Sequence, residues 1–118
     1  MEQKKRDQQI VEKIIKHCIN IRAARDRYGD SYEQFAADID YFDVVCMRLL
    51  QIGEIANHFS DEFLEQHSDM PWRKIVNLRN IAVHGYEQLK PQQLWNIICE
   101  DVPRLYQYCL AIQADNGV

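Results

Sequence analysis

The chain has 118 residues, of which 47% are hydrophobic, 27% charged and 10% aromatic, with only 4 glycines and 3 prolines. This composition excludes a disordered linker or tail, and the length predicts one globular domain over residues 1–118. The formal net charge of −4 argues against a protein that coats DNA through a broadly basic surface, although a local basic site is compatible with it.

The sequence carries no recognisable targeting or membrane signal. No apolar run approaches the roughly 20 residues that span a bilayer. The N-terminal stretch from Met1 to Asp7 is charged, and an amphipathic stretch follows it instead of the apolar core of a signal peptide. We therefore expect a cytoplasmic protein that makes no membrane contact. Its cysteines should be reduced there and, being surrounded by apolar residues, buried; they are Cys18, Cys46, Cys99 and Cys109.

Helical periodicity governs the first half of the chain. Apolar residues recur at three-to-four spacing from Ile10 to Ile19, which predicts an amphipathic first helix of roughly 20 residues or more. Residues 28–31, Tyr-Gly-Asp-Ser, indicate that the first helix ends there. Ser31 then offers a capping box with Gln34. The second helical region runs from there towards residue 59, with a break or bend near residues 36–38.

The second half of the chain is also predicted to be helical. Pro71 suits the first turn of a third long helix. Gly85 is expected to be the residue just beyond the end of that helix, where glycine is favoured. The last helical region begins at Lys90, and Pro103 predicts a kink or a restart inside it. No strand alternation or hairpin turn is present. These patterns predict an all-α fold, an antiparallel bundle of four to five helices.

Motifs for metal or nucleotide binding are absent from the sequence. The histidines lack H-x-x-x-H spacing, the cysteines form no C-x-x-C pair, and no E-x-x-H pair of the di-iron type occurs. The glycine patterns of phosphate-binding and dinucleotide-binding loops are missing as well. We therefore expect neither a metal nor a cofactor.

One segment, residues 71–86, concentrates basic and polar groups and contains no acid. Its Arg79 and His84 are five residues apart, which separates them by about 140° on an ideal helix. They can act on one ligand only if the helix ends near His84 or if a second subunit completes the site. An imidazole that moves protons and a guanidinium that stabilises charge on phosphorus are what metal-free phosphodiester cleavage requires. The same residues also fit structural roles, Arg79 as a salt-bridge partner and His84 as a helix cap.

The pattern Arg79-Asn80-x-x-x-His84-x-Tyr86 resembles the signature of the HEPN superfamily. A tyrosine two places after the histidine is typical of its HepT-like toxins. Three further stretches are similar to that family in the same order along the chain, so that the resemblance extends from about residue 10 to about residue 110. They are Leu-Leu-Gln-Ile-Gly-Glu-Ile-Ala at 49–56, Pro-Trp-Arg-Lys-Ile at 71–75, and the last helix from Leu94 to Leu105.

The resemblance implies a HEPN-like helical bundle that acts as a metal-independent endoribonuclease, the toxin of a type VII toxin–antitoxin system. By position, Arg79 and His84 would be the catalytic pair and Asn80 the polar residue beside them. Two copies of the motif would face each other across the cleft of a homodimer. His84 would assist attack of the ribose 2′-OH on its own phosphate, and Arg79 would stabilise the pentacoordinate phosphorus.

The resemblance also implies a partner, a minimal nucleotidyltransferase of the MntA type that acts as the antitoxin. That enzyme would transfer AMP to Tyr86, on a loop beside His84, where the added charge and bulk would exclude the RNA backbone. In this sequence Gly85 replaces a common Asp of the family, and Glu-Gln-Leu follows Tyr86 in place of the family's aromatic, glycine and acidic residues. The alternative is a non-catalytic nucleotide-binding or adaptor subunit of a nucleotidyltransferase complex.

Residues around the signature have more than one interpretation. Arg73 and Lys74 could guide the RNA backbone or simply form a solvated face. Glu54 is expected on a helix that packs near the motif, where it could orient Arg79 or be an ordinary exposed acid. Gly53 weakens a helix by roughly 1 kcal/mol relative to alanine, which predicts close packing of another helix at that position.

Overall fold

The computed structural model describes residues 2–88 and 90–116, and every regular element in this part of the chain is helical. The all-α class is therefore confirmed. Four longer helices alternate with short helical segments. In chain order the elements are α1 (Glu2–Tyr28), α2 (Tyr32–Ala37), α3 (Ile39–Ala56), α4 (Asp61–Gln66), α5 (Trp72–Val76), α6 (Leu78–Gln88), α7 (Pro91–Asn96), a π-helical turn (Ile97–Asp101) and α8 (Val102–Asp115).

Short polar residues and one glycine set the helix ends in the first half of the chain. Gly29 follows α1 with φ of 128°, in the region that glycine adopts without strain. The Ser31 hydroxyl caps α2 by accepting a hydrogen bond of 3.2 Å from the backbone N–H of Gln34. Asp38 caps α3 through its carboxylate. The break predicted at residues 36–38 is confirmed, as the end of one helix and the start of the next.

The predicted irregularity at Pro103 takes the form of a widened turn. Residues 97–101 make the π-helical turn, and α8 then begins with Pro103 in its first turn, where the missing N–H costs nothing. Arg25 of α1 donates a hydrogen bond of 3.3 Å to the carbonyl of Ile98 in that turn. The helical direction therefore continues from α7 to α8 through one widened turn.

The hydrophobic core lies between α1, α3 and α8 and continues beneath α6 and α7. Fully buried side chains on these helices include Ile14, Tyr41, Leu49, Leu94 and Leu105. The cysteines are unpaired, and those at positions 18, 46 and 109 are buried while the one at position 99 is half-buried. Burial raises the pKa of the Cys18 thiol to about 12, so it is protonated at neutral pH. Within the described residues, no helix has both the length and the apolar character needed to cross a bilayer.

The third helical region differs from the prediction at its far end. It divides at Asn77 into α5 and α6, and α6 continues to Gln88. Gly85 therefore lies inside α6 and is buried there, so its predicted role as the residue beyond the helix end is wrong. A Cβ at Gly85 would lie 3.0 Å from Cδ1 of Leu94, which shows that this glycine lets α7 pack closely on α6.

Helices α3 and α6 make the most extensive helix pair of the fold, and Gly53 of α3 lies against the junction between α5 and α6. A Cβ at Gly53 would lie 2.6 Å from the backbone nitrogen of Arg79 and 2.7 Å from the backbone oxygen of Val76. Because backbone atoms cannot move aside as a flexible side chain can, the two helices can approach this closely only with glycine there. The predicted close packing at Gly53 is confirmed, and it fixes the start of α6.

Candidate active site

Arg79 lies exposed in the first turn of α6, directly beside Glu54 of α3. Its Nε and the Glu54 Oε1 form an ion pair in which the side chains are 52% and 47% exposed, respectively. The pairing follows from the close contact at Gly53, the residue before Glu54. An exposed pair of this kind adds little to stability, so its main consequence is the orientation of the guanidinium. Of the two interpretations of Glu54, the one that places it against Arg79 matches the structure.

Two asparagines extend this polar arrangement along the surface. The Nη1 of Arg79 donates a hydrogen bond of 3.3 Å to Oδ1 of Asn80, and the Nδ2 of Asn80 donates one of 3.1 Å to Oδ1 of Asn77. All three side chains are exposed. Sequence reasoning did not single out Asn77. Its three-residue spacing from Asn80 could have indicated it, because residues at this spacing are neighbours on a helical surface.

His84 is exposed on α6, one turn before the helix ends. The possibility that the helix ends near His84, bringing it towards Arg79, is therefore wrong. On a continuous helix His84 lies about 140° from Arg79 and only about 40° from Asn80. In a single copy of the chain, the imidazole and the guanidinium therefore leave α6 in different directions.

Tyr86 lies within α6, so the prediction of a loop position for it is wrong. Its ring stacks on Phe42 of α3, with centroids 6.2 Å apart and planes inclined by 24°. The side chain is still 51% exposed. Seven residues separate it from Arg79, so the two lie about 20° apart around the helix and roughly 10 Å apart along it.

A shallow apolar groove lies at the surface where α3 meets α6, beside Tyr86. Its volume is about 350 Å³, and its lining includes Met47, Leu50 and Val83. Met47 is 53% exposed. The face that carries the signature thus combines charged, polar and apolar surface.

The remaining candidate residues lie on α5. Arg73 and Lys74 are both exposed and form no ion pair with any residue in 2–88 or 90–116. Lys74 reaches the rim of a cleft that Asn77 also lines. Across these same residues, no three His, Cys, Asp or Glu side chains are grouped so that they could hold a metal ion. Besides the two cations of α5, helix α6 offers a phosphate the guanidinium of Arg79, the imidazole of His84 and the amide of Asn80.

Comparison with known proteins assigns the chain to a family. The model of the family described as "Ribonuclease HepT-like" matches residues 8–112. That span includes every element from the body of α1 to most of α8, and with them the whole candidate site. No solved structure matches the chain.

Three relatives are 28% to 32% identical to the chain over the aligned residues. A Methanocaldococcus jannaschii protein whose RNase assignment is itself an inference is 32% identical, over 61% of this chain and 74% of its own length. The "Probable ribonuclease HepT" of Thermococcus cleftensis is 28% identical, over 62% of this chain and 74% of its own length. A similarly inferred RNase of Caldanaerobacter subterraneus is 31% identical, over 65% and 69%. With a family model that matches nearly its whole length, this chain belongs to the HepT-like ribonuclease family.

Proposed function

We propose that the chain is a metal-independent endoribonuclease that acts in the cytoplasm as the toxin of a type VII toxin–antitoxin system. The observation that carries the proposal is the exposed Arg79, held by Glu54 and Asn80, on the same helix as an exposed His84. Family membership gives this pair its context, since a relative is named as a probable HepT ribonuclease.

The proposed reaction uses the substrate's own hydroxyl as nucleophile. His84 accepts the proton of the ribose 2′-OH, and the 2′ oxygen then attacks the adjacent phosphorus. The bond from phosphorus to the 5′ oxygen breaks, a proton returns to that oxygen, and the products are a 2′,3′-cyclic phosphate and a 5′-OH. Arg79 stabilises the negative charge that develops on the phosphoryl oxygens, and Asn80 helps to hold the guanidinium.

A homodimer is part of the proposal because one copy does not aim both groups at one phosphate. Arg79 and His84 diverge by about 140° around α6, so each needs its counterpart from a facing helix. The apolar groove lined by Met47 and Val83 adjoins this face, and exposed apolar surface of this kind supports association between chains. Two copies meeting across α6 would give two equivalent sites, each with the Arg79 of one chain and the His84 of the other.

The partner in this proposal is a minimal nucleotidyltransferase of the MntA type that silences the toxin by modifying Tyr86. The phenolic oxygen attacks the α-phosphate of ATP, loses its proton and releases pyrophosphate. The 51% exposure of Tyr86 supports its accessibility, and its place on the Arg79 side of α6 would bring the new negative charge towards the site. Mass spectrometry after incubation with the partner and ATP tests this step, since Tyr86→Phe should abolish the added mass.

The experiment that tests the proposed function is an RNA cleavage assay with EDTA present. Wild type should cleave RNA to products with cyclic phosphate ends. Arg79→Ala and His84→Ala should lose that activity while remaining folded to the same extent as wild type. The exposed His58 provides a matched control, since His58→Ala should cleave like wild type. The RNA contacts proposed for Arg73 and Lys74 should show as weaker binding in Arg73→Gln and Lys74→Gln. Absence of cleavage by a folded dimer, on tRNA and on total RNA, would favour the nucleotide-binding adaptor instead.

A further inference from the structure

A second cleft opens between α5 and α6 on one side and α7, the π-helical turn and α8 on the other. Its volume is about 470 Å³, within the range of pockets that hold small organic ligands. Its floor is apolar and buried, formed by side chains that include Ile75, Leu78 and Ile97. A floor of this kind can receive the flat face of a nucleobase.

The rim of this cleft is polar and carries more positive than negative charge. Lys74 from α5 and Arg104 from α8 are exposed cations, and Asp101 is the acid among the lining residues. Neither cation is ion-paired within the described part of the chain. In a protein of net charge −4, a local excess of cations favours an anionic ligand.

Amide side chains complete the rim and supply hydrogen bonds in both directions. Asn77, Gln93 and Asn96 are exposed there, and each amide offers donors and an acceptor to the edge of a base. These three features match the three parts of a nucleotide. The apolar floor fits the face of the base, the amides fit its edge, and the cations fit the phosphate.

The cleft is linked to the candidate active site through Asn77. Asn77 lines the cleft and accepts the hydrogen bond from Asn80 of the signature. Ile81 of α6 also lines the cleft, and it lies three residues from His84, which is about 60° around the helix. A ligand that passes His84 therefore reaches the cleft on the same side of α6.

We propose that this cleft binds a nucleotide of the RNA strand that flanks the cleaved phosphate. Arg104 and Lys74 contact the backbone phosphate, and the base lies on the apolar floor with its edge against the amides. The inference rests on the proposed ribonuclease function and adds to it a binding residue, Arg104, that lies 20 residues beyond His84 in the chain and outside the signature.

The test measures binding separately from cleavage. In the His84→Ala background, fluorescence anisotropy would follow a labelled single-stranded RNA at several salt concentrations. Adding Arg104→Gln should weaken binding by roughly threefold to tenfold and lower the slope of log K against log salt by about 0.7, the value for one phosphate contact on a single strand. Adding Lys74→Gln should act in the same direction. Arg6→Gln is the matched control, because Arg6 is an exposed arginine of α1 that does not line the cleft.

Two results would overturn the inference. One is that Arg104→Gln and Lys74→Gln bind RNA as tightly as the Arg6→Gln control does. The other is that the His84→Ala chain does not bind RNA. Cleavage by wild type is scored separately: a chain that cleaves RNA but ignores the cleft substitutions keeps the proposed function and loses the inference. A chain that binds RNA through the cleft without cleaving it keeps the cleft as an RNA-binding site and loses the proposed function.

Discussion

The guanidinium of Arg79 is held on one side and open on the other. It has five N–H donors, of which Nε pairs with Glu54 and one Nη1 donor goes to Asn80. The remaining donors are available to a phosphate. We therefore expect Glu54 to be a positioning residue, since it touches Arg79 and has no place in the proposed bond-breaking step.

Replacing Glu54 tests this positioning role. Glu54→Ala should lower kcat by about tenfold, because a misplaced catalytic group is costly, while KM for RNA changes little. Glu54→Gln should recover most of the lost kcat, since its amide oxygen can still accept a hydrogen bond from Nε. The free energy of unfolding should fall by less than about 1 kcal/mol in either variant. Steady-state RNA cleavage and urea unfolding measure these effects.

Glu12 offers the matched control for that experiment. It forms an exposed ion pair with Lys16 on α1, at 3.6 Å, on a helix that carries none of the signature residues. Glu12→Ala should leave kcat at the wild-type value. If Glu54→Ala and Glu12→Ala have the same kcat, Glu54 does not position Arg79.

At the scale of helices, the contact between α3 and α6 determines where the signature lies. Gly53→Ala would bring a Cβ within 2.7 Å of two backbone atoms of the region that begins α6. The alanine gains roughly 1 kcal/mol in helix propensity, but overpacking against backbone costs typically 1–3 kcal/mol and can cost more. We expect a net loss of about 1–2 kcal/mol in the free energy of unfolding, together with lower RNA cleavage because Arg79 moves.

Gly85→Ala is the matched control, because this glycine is also buried in a helix. The nearest atoms to its new Cβ are in the side chain of Leu94, at 3.0 Å and beyond, and a side chain can adjust. Its unfolding free energy should therefore stay closer to that of wild type in urea titrations. An equal loss in both variants would contradict the special role of the backbone contact at Gly53.

The same glycines show how much of the fold local sequence could predict. The cap at Ser31 and the end of α1 at Gly29 depend on neighbouring residues alone, so the sequence predicts them correctly. The break at residues 36–38 is predicted too, but the cap that Asp38 forms there is not. Gly85 satisfies the local pattern of a helix end equally well. Its actual place inside α6 depends on Leu94 from a later helix, and no local pattern contains that information.

At the scale of the whole molecule, the sequence identified the family and the fold class, but it could not give the directions of the site residues. The resemblance selected Arg79, Asn80 and His84, and the structure places all three, exposed, on α6. Whether they converge depends on where α6 ends and on what faces it. The first is now known, because the helix continues past His84. The second is what the proposed homodimer would supply.

A mixing experiment tests that arrangement of two copies. If each site takes Arg79 from one chain and His84 from the other, a heterodimer of Arg79→Ala and His84→Ala contains one intact site and one doubly defective site. Random exchange makes about half of the dimers mixed, so the mixture should recover about a quarter of wild-type RNA cleavage, while each variant alone stays inactive.

Mixing the His84→Ala chain with the double variant Arg79→Ala/His84→Ala supplies the control, since no dimer in that mixture has an intact site. If the Arg79→Ala and His84→Ala mixture also stays inactive once exchange is confirmed by native mass spectrometry, the two groups do not come from different chains. The divergence of Arg79 and His84 around α6 would then have to be resolved within one copy, by a rearrangement of the helix on binding RNA.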